Sequence, residues 1–305
     1  MSLNDHLTDI LQCPRCRGTL LWDQEKCSAC KAPFRVEDGI FDFVSYNTLS
    51  EQNRTQIELH KLLASDYQER YEPEYSKIYS RYWNRQFLSN MPENPQSVLD
   101  NGCGTGELLK ELLPHCNLPI GSDISKAMIK TAKDSIGDEK DIIWVVSPGE
   151  SLPFADNIFD VICFRGTLHH MSDEMAALKE AYRILKKNGL VMLSEPNDDS
   201  ILLRLPRKIA NRRMARFGKD HKAFKSKRLL KSMAEMGFSI QNTKYFSFLS
   251  QPFCGMSDLI PLMKILPFSK TIAGLLVSVD EICSSLPIIK KQSFDLFVSA
   301  KKNFH

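Results

Sequence analysis

One stretch constrains this chain more than any other. Ser97-Val98-Leu99-Asp100-Asn101-Gly102-Cys103-Gly104-Thr105-Gly106 reads as an apolar strand running into a glycine loop, with a helical Glu107–Leu113 behind it. Glycines at such a point let the backbone turn sharply and approach a ligand closely. A dinucleotide site spaces them G-x-G-x-x-G, with a helix N-terminus facing a pyrophosphate. Here the spacing is G-x-G-x-G and Asp100 precedes it on the strand. That pattern suits a cofactor without phosphate and with a cationic amino-acid end. Asp123 closes the next strand, where its carboxylate can accept both hydroxyls of a ribose; capping the following helix is its alternative role.

Apolar strand-like runs alternate with helical patterns from Val98 to Glu195, the mark of a parallel sheet with crossover helices. The strands expected are Ser97–Asp100, Pro119–Asp123, Ile142–Ser147, Val161–Phe164 and Leu190–Glu195, with Phe238–Phe248 and Phe294–Lys301 completing seven. Helices are expected over Lys126–Lys133 and Glu174–Leu185, the second stopped by Asn188-Gly189. The fold class is therefore α/β, a doubly wound, Rossmann-like, seven-stranded sheet. Residues 1–45 form a small N-terminal unit, 46–95 a linker and helical lid, and 96–305 the α/β domain.

The N-terminal unit carries Cys13-Pro14-Arg15-Cys16 and Cys27-Ser28-Ala29-Cys30. Four thiolates on two tight turns can close a tetrahedron around Zn²⁺, and a four-sulfur site leaves no open coordination position, so the metal is structural. A segment this short lacks a core of its own, and metal supplies its folding energy. Cys103, Cys116, Cys163, Cys254 and Cys283 show no ligand spacing. Nine cysteines, with Asp5 and Asp9 in a start that has no apolar core, point to a reducing, cytoplasmic location. The longest apolar window, Leu259–Val279, is broken by Lys264, Pro267 and Lys270 and is not a membrane span.

Residues 97–195 resemble the UbiE-like (type 11) group of class I S-adenosylmethionine (SAM)-dependent methyltransferases. The matching pieces are Leu99–Gly106, Gly121–Ser125, Gly149–Asp156, Phe159–Ile162, Leu168–Met171 and Ala181–Gly189. The ribbon, with Pro33–Val36 and Asp38–Ile40, resembles the Trm112-like zinc ribbons fused to such enzymes. The resemblance implies that Asp100, Gly102, Gly104 and Gly106 hold the methionine and sugar parts of SAM. It implies further that Asp123 takes the ribose, Ile124 packs on the adenine and Gly149 and Glu150 meet the adenine edge. Cys163 to Arg165 then lie beneath the sulfonium. Two positions depart from the pattern. Pro148 stands where the group has an aspartate that accepts a hydrogen bond from the adenine amino group, a loss of about 1 kcal/mol. Asn101 replaces an apolar residue.

Methyl transfer is an in-line displacement in which alignment supplies much of the acceleration. A hydroxyl acceptor also benefits from a base, whereas an activated carbon or amine does not need one. His169, His170 and Glu195 follow the fourth and fifth strands, where acceptor-facing groups belong. In similar sugar O-methyltransferases such positions act as base and orienting acid; helix capping and scaffolding are the bland alternatives. Tyr67, Tyr71, Tyr75 and Tyr79 recur every four residues, interrupted by Pro73, as core packing or as a lid over the cofactor.

Two features bear on the acceptor. Residues 204–228 hold eleven Lys or Arg against Asp220 alone, either a solvated face or a phosphate-binding site on RNA, lipid or membrane. Residues 249–291 are apolar and proline-punctuated, forming a C-terminal helical insertion that is a cap, a pocket wall or a shallow membrane-docking surface. Together they favour a hydrophobic or lipid-linked anionic small molecule, with an anionic membrane as a peripheral partner. The alternatives are a ribosomal-RNA guanine methyltransferase, against which only Phe217 and Phe224 stand for base stacking in the basic segment, and an inactive zinc-stabilised scaffold. An oxidoreductase is disfavoured by the glycine spacing. Asp123→Ala is expected to abolish SAM binding in calorimetry while leaving zinc content intact; unchanged affinity would refute the ribose contact.

Overall fold

The structure, a computed structural model, describes residues 3–137, 141–203, 223–256 and 260–303. Most of the basic segment, residues 204–222, lies outside the described residues, as do Leu259 and the Tyr67 side chain.

Helix α1 (Leu3–Ile10) leads into β1 (Leu20–Leu21), β2 (Lys26–Cys27) and the hairpin β3 (Arg35–Glu37)–β4 (Ile40–Asp42). Asp38 and Gly39 turn that hairpin, both with φ in the left-handed region, 54° and 72°. Helices α2 (Glu51–Tyr71) and α3 (Glu74–Leu88) follow, separated where Pro73 removes a backbone donor and cannot continue the first helix. The α/β part runs β5 (Ser97–Asn101), α4 (Glu107–Leu112), β6 (Leu118–Asp123), α5 (Lys126–Ile136), β7 (Ile143–Val146), β8 (Phe159–Arg165), α6 (Glu174–Ile184) and β9 (Leu185–Pro196). It closes with α7 (Ser226–Glu235), β10 (Phe238–Phe246), a π-helical turn at Gln251–Gly255, α8 (Leu262–Ile265), α9 (Ser269–Ser285) and β11 (Asp295–Lys302).

All seven expected strands lie in one sheet, and two more extend it. The order is β10-β11-β9-β8-β5-β6-β7-β4-β3. Strands β7, β6, β5, β8 and β9 are mutually parallel, while β11 runs antiparallel between β9 and β10. Every residue of β5 is buried, as a parallel strand covered on both faces must be. The two extra strands come from the cysteine-bearing segment. β4 pairs in parallel with β7, Ile40 opposite Trp144 and Asp42 opposite Val146, and the Phe43 N–H donates to the Val146 carbonyl at 2.9 Å.

The same segment shares the core. Leu7, Leu11, Leu20, Phe34 and Phe43 join one apolar cluster with Phe154, Phe159, Leu178 and Val191. Arg17 crosses to the α/β part as well, donating to the Leu152 carbonyl at 3.0 Å and pairing with Glu180 at 2.9 Å. On the other side of the sheet α3 buries Tyr75, Tyr79, Tyr82 and Phe87 against Val98, Cys163, Met192 and Phe297. Of the tyrosine stripe, Tyr75 and Tyr79 are thus core residues. Among the described residues no helix is long and apolar enough to cross a membrane.

Ile40, 1% exposed, packs with Ile129, Ala132 and Trp144 at the seam between β4 and the parallel sheet. Ile40→Ala should destabilise the protein by about 2–4 kcal/mol. The check is a lower urea midpoint, with unchanged slope, in one transition for the whole described fold.

Candidate functional site

The chain reverses its direction of travel across the sheet between β5 and β8, and in such sheets the crevice for ligands opens there, outside the carboxyl ends of the strands. The glycine loop is anchored at that point. The N–H groups of Gly102 and Cys103 donate to the Ser122 carbonyl at 2.7 and 2.9 Å. Gly102 has φ +80°, and a Cβ there would stand 2.7 Å from the Thr167 side chain, so only glycine fits. Gly104 is also left-handed, but nothing lies within 4 Å of its missing Cβ; this part of the loop faces open space. Gly106 starts α4, close against Ile136 and Ala132.

Asp123 binds the loop from the next strand. Its two oxygens accept from the Gly104 N–H at 3.0 Å and the Ser125 N–H at 2.8 Å. The helix cap of α5 is a different residue, Ser125, whose hydroxyl accepts from the Met128 N–H. Asp123, Ile124, Gly102, Gly149, Glu150 and His170 line one cleft, together with Asn101, Ser147, Thr167 and Met171. Glu150 also secures the cleft's rim, accepting at 2.7 Å from both the N–H and the hydroxyl of Ser172. Helix α2 forms the remaining wall through Asn53, Gln56 and His60, and Gln52 ties it down by donating to the carbonyls of His170 and Met171 at 3.0 and 3.1 Å. These α2 residues were not singled out from the sequence. Their polar 3–4 spacing on one helix face was the available signal.

Three side chains beside the cleft carry buried polar atoms without hydrogen-bond partners among the described residues: both oxygens of Asp100, Nδ2 of Asn101 and Oε1 of Gln56. Such orphans are uncommon in folded proteins, because a buried polar group that loses water and finds no partner costs about 1–3 kcal/mol. Burial pushes the Asp100 carboxyl up to about 7, with the Arg165 cation pulling it back and the Asp123 carboxylate adding to the rise. A cationic group at this position would relieve that penalty. The donor set therefore fits the amino-acid end of SAM, and Asn101, a departure from the pattern, offers an amide donor where the pattern has an apolar contact.

Arg165, at the end of β8, is held by α3. Its Nη2 donates to the Ser80 hydroxyl at 3.1 Å, and the guanidinium stacks over the Trp83 ring at 4.3 Å, with Tyr71 at 5.7 Å. Trp83 is itself fixed by donating its indole N–H to the Ser194 hydroxyl at 2.7 Å. Cys163 is fully buried in the core cluster behind β8, and its side chain does not line the cleft.

Glu195 is also fully buried. Its oxygens accept the N–H groups of Thr167, Leu168 and His169 at 3.1, 2.9 and 3.2 Å, and its Oε2 lies 2.7 Å from His169 Nδ1. Burial raises this carboxyl to about 8, although those three N–H groups pull it down. The carboxylate reaches no open space, so it orients His169 and the loop rather than an acceptor. The rings of His169 and His170 stack at 3.9 Å, and His170 is the one that lines the cleft.

The four ribbon cysteines converge, with Cys13 and Cys30 sulfurs 3.6 Å apart, Cys16 and Cys27 sulfurs 3.5 Å apart, and all four within 4.8 Å. Tetrahedral Zn–S bonds of about 2.3 Å place sulfurs about 3.8 Å apart, so the set fits zinc. Each turn ends in a left-handed residue, Arg17 or Lys31, whose N–H donates back to the first cysteine's carbonyl.

Residues 99–193 match the family model for a methyltransferase domain. Protein MJ1123 of Methanocaldococcus jannaschii is 30% identical over 140 residues, 46% of this chain and 63% of that protein. The demethylmenaquinone methyltransferase of Thermotoga maritima is 33% identical over 117 residues, 37% of this chain and 49% of its own length. The chain thus spans less than two thirds of either relative. A structure of the complex between the Haloferax volcanii Trm112 methyltransferase activator and a methyltransferase matches 82% of this chain and 98% of the compared one, with TM-score 0.57 and 17% identity, a likeness of fold.

Metal analysis of the purified protein is expected to find one zinc per chain. Replacing Cys13 and Cys27 together by serine should remove it; zinc retained in that variant would refute the four-sulfur site.

Proposed function

On the premise that residues 99–193 are a class I methyltransferase domain, we propose that this chain transfers a methyl group from SAM to a hydroxyl or carbon of a hydrophobic, anionic small molecule. The observation that carries the reading is Asp100, a carboxylate buried beside an open glycine loop with neither oxygen partnered. SAM, when bound, supplies an electrophilic methyl group on a sulfonium sulfur. The chain's residues do the rest. Asp100 holds the ammonium group, Asp123 keeps the loop in place and offers its remaining lone pairs to the ribose hydroxyls, and Ile124 packs on the adenine. Asn101 and Gly149 stand against the nucleoside, where Asn101 Nδ2 supports a hydrogen bond that compensates for Pro148. Gln52, Asn53 and His60 on α2 exclude water from the cleft.

On the acceptor side, the wall of Tyr71, Trp83 and Arg165 favours a flat apolar body with a negative group. His169, oriented by Glu195, takes the proton of a hydroxyl acceptor; a carbon acceptor needs no such step. The Thermotoga relative, named for demethylmenaquinone, favours a small-molecule acceptor over a nucleic acid. The four cysteines hold a structural zinc, which fastens the N-terminal 45 residues to the catalytic part.

The test is calorimetric titration with SAM and its demethylated product, on the wild type and on Asp100→Asn. The variant loses a charge-assisted contact and should bind at least about tenfold more weakly. Its stability should move the other way. Because the folded Asp100 pKa of about 7 lies above the ordinary 3.8, its contribution to stability is full below that ordinary value and is lost as pH rises to about 7. The neutral amide escapes this loss, so ligand-free Asp100→Asn should melt higher than wild type at pH 8, with the gap closing toward pH 4. Unchanged SAM affinity would overturn the assignment.

A further inference from the structure

Helix α9 is apolar on two sides, and only one of them is covered. Its inner side, Ile272, Ala273, Leu276 and Val277, packs on the cluster that includes α3. Its outer side presents Leu275, Val279 and Ile282 and continues into Leu286 at the C-cap, spaced four, three and four residues apart, so that they form one continuous stripe. Leu275 and Ile282 are each more than 60% exposed, and Phe268 and Ile288 beyond the two helix ends are 81% and 92% exposed. A helix that is hydrophobic all round belongs in an apolar medium, and a contiguous exposed patch of this kind marks an interaction surface.

The polar groups of α9 agree with that environment. The hydroxyls of Ser278, Ser284 and Ser285 donate to the helix's own carbonyls of Gly274, Asp280 and Ile282 at 3.0, 2.7 and 2.7 Å and so do not depend on water. Both acids of the helix are engaged elsewhere. Asp280 is fully buried and accepts the Leu249 and Ser250 N–H groups, while Glu281 pairs with Arg85 of α3 at 2.6 Å. What flanks the stripe is positive, with Lys270 at the start of the helix and Lys290 and Lys291 just beyond its end.

We infer that the outer face of α9 docks this protein on the surface of an anionic lipid bilayer, with Phe268, Leu275, Ile282 and Ile288 among the acyl chains and the lysines at the headgroups. Leucine and isoleucine between cationic ends are the features of a helix lying in the interface plane. A second copy of the chain is a poorer occupant. Two-fold packing of the stripe would bring Lys270 against either its own counterpart or Lys290 and Lys291, which is repulsive in both orientations. Because α9 packs on α3, which carries Trp83 and Tyr79, docking would set the acceptor side of the molecule close to the lipid.

The experiment is sedimentation of the full chain with phosphatidylcholine vesicles, with and without phosphatidylglycerol. Wild type should pellet with the anionic vesicles and be released by salt. Leu275→Ser combined with Ile282→Ser should bind about tenfold less, and Lys290→Glu with Lys291→Glu should lose the preference for anionic lipid. All of these positions are exposed or half-exposed, and unchanged melting temperature and SAM titration show that the variants are folded, which separates this test from that of the cofactor. Absence of wild-type binding to either vesicle would overturn the inference. So would a wild-type dimer in sedimentation velocity that Leu275→Ser with Ile282→Ser dissociates, since the stripe would then be a subunit interface.

Discussion

The reversal of strand order between β5 and β8 is the constraint on which the rest of the molecule depends. The chain lays down β5, β6 and β7 in one direction, returns to place β8 beside β5, and then builds outward through β9 to β11. Two loops leave neighbouring strands in opposite directions and cannot cover the ground between them. Asp100, Asn101 and Gly102 come from one lip of this gap and Arg165 and Thr167 from the other. They meet through the Thr167 hydroxyl, which donates to the Asn101 carbonyl at 3.0 Å.

Burial at this gap leaves carboxylates short of solvent, and the molecule treats them in two ways. Glu195 is surrounded by donors and fixes a loop. Asp100 has none and stays at an electrostatic disadvantage that only an incoming cation corrects. The same contrast separates a positioning group from a binding group. Asp123 lies between the two, since it serves the loop with both oxygens and still lies at the cleft.

Much of this was legible in the sequence, and for identifiable reasons. Parallel strands buried on both faces must be apolar over their length, so Val98–Leu99 and Val161–Phe164 announce themselves. The glycine loop is readable because Gly102 has no substitute beside Thr167. Two CxxC pairs carry their own geometry. The α2 wall was not legible, because Gln52, Asn53 and His60 look like ordinary solvated helix residues until the loop at His170 is set against them. Nor was the partnership of Arg165 with Trp83, which joins residues 82 positions apart across two elements. The pairing of β4 with β7 was hidden for a similar reason. Three residues of strand are too short for periodicity to show, and their partner lies about a hundred residues further along.

That pairing changes what the ribbon is for. Without β4, the parallel sheet would end at β7 with a row of open backbone donors and acceptors, a surface that invites another chain to add a strand. The ribbon occupies that row, and its own outer strand, β3, is three exposed residues with Arg35 and Glu37 at its ends. The cluster of cysteines, far from the chemistry, thus acts as a guard against self-association. Oxidation of its thiols would leave the catalytic groups chemically intact and yet remove the protein from solution by aggregation, which would tie its persistence in the cell to the supply of metal and reductant.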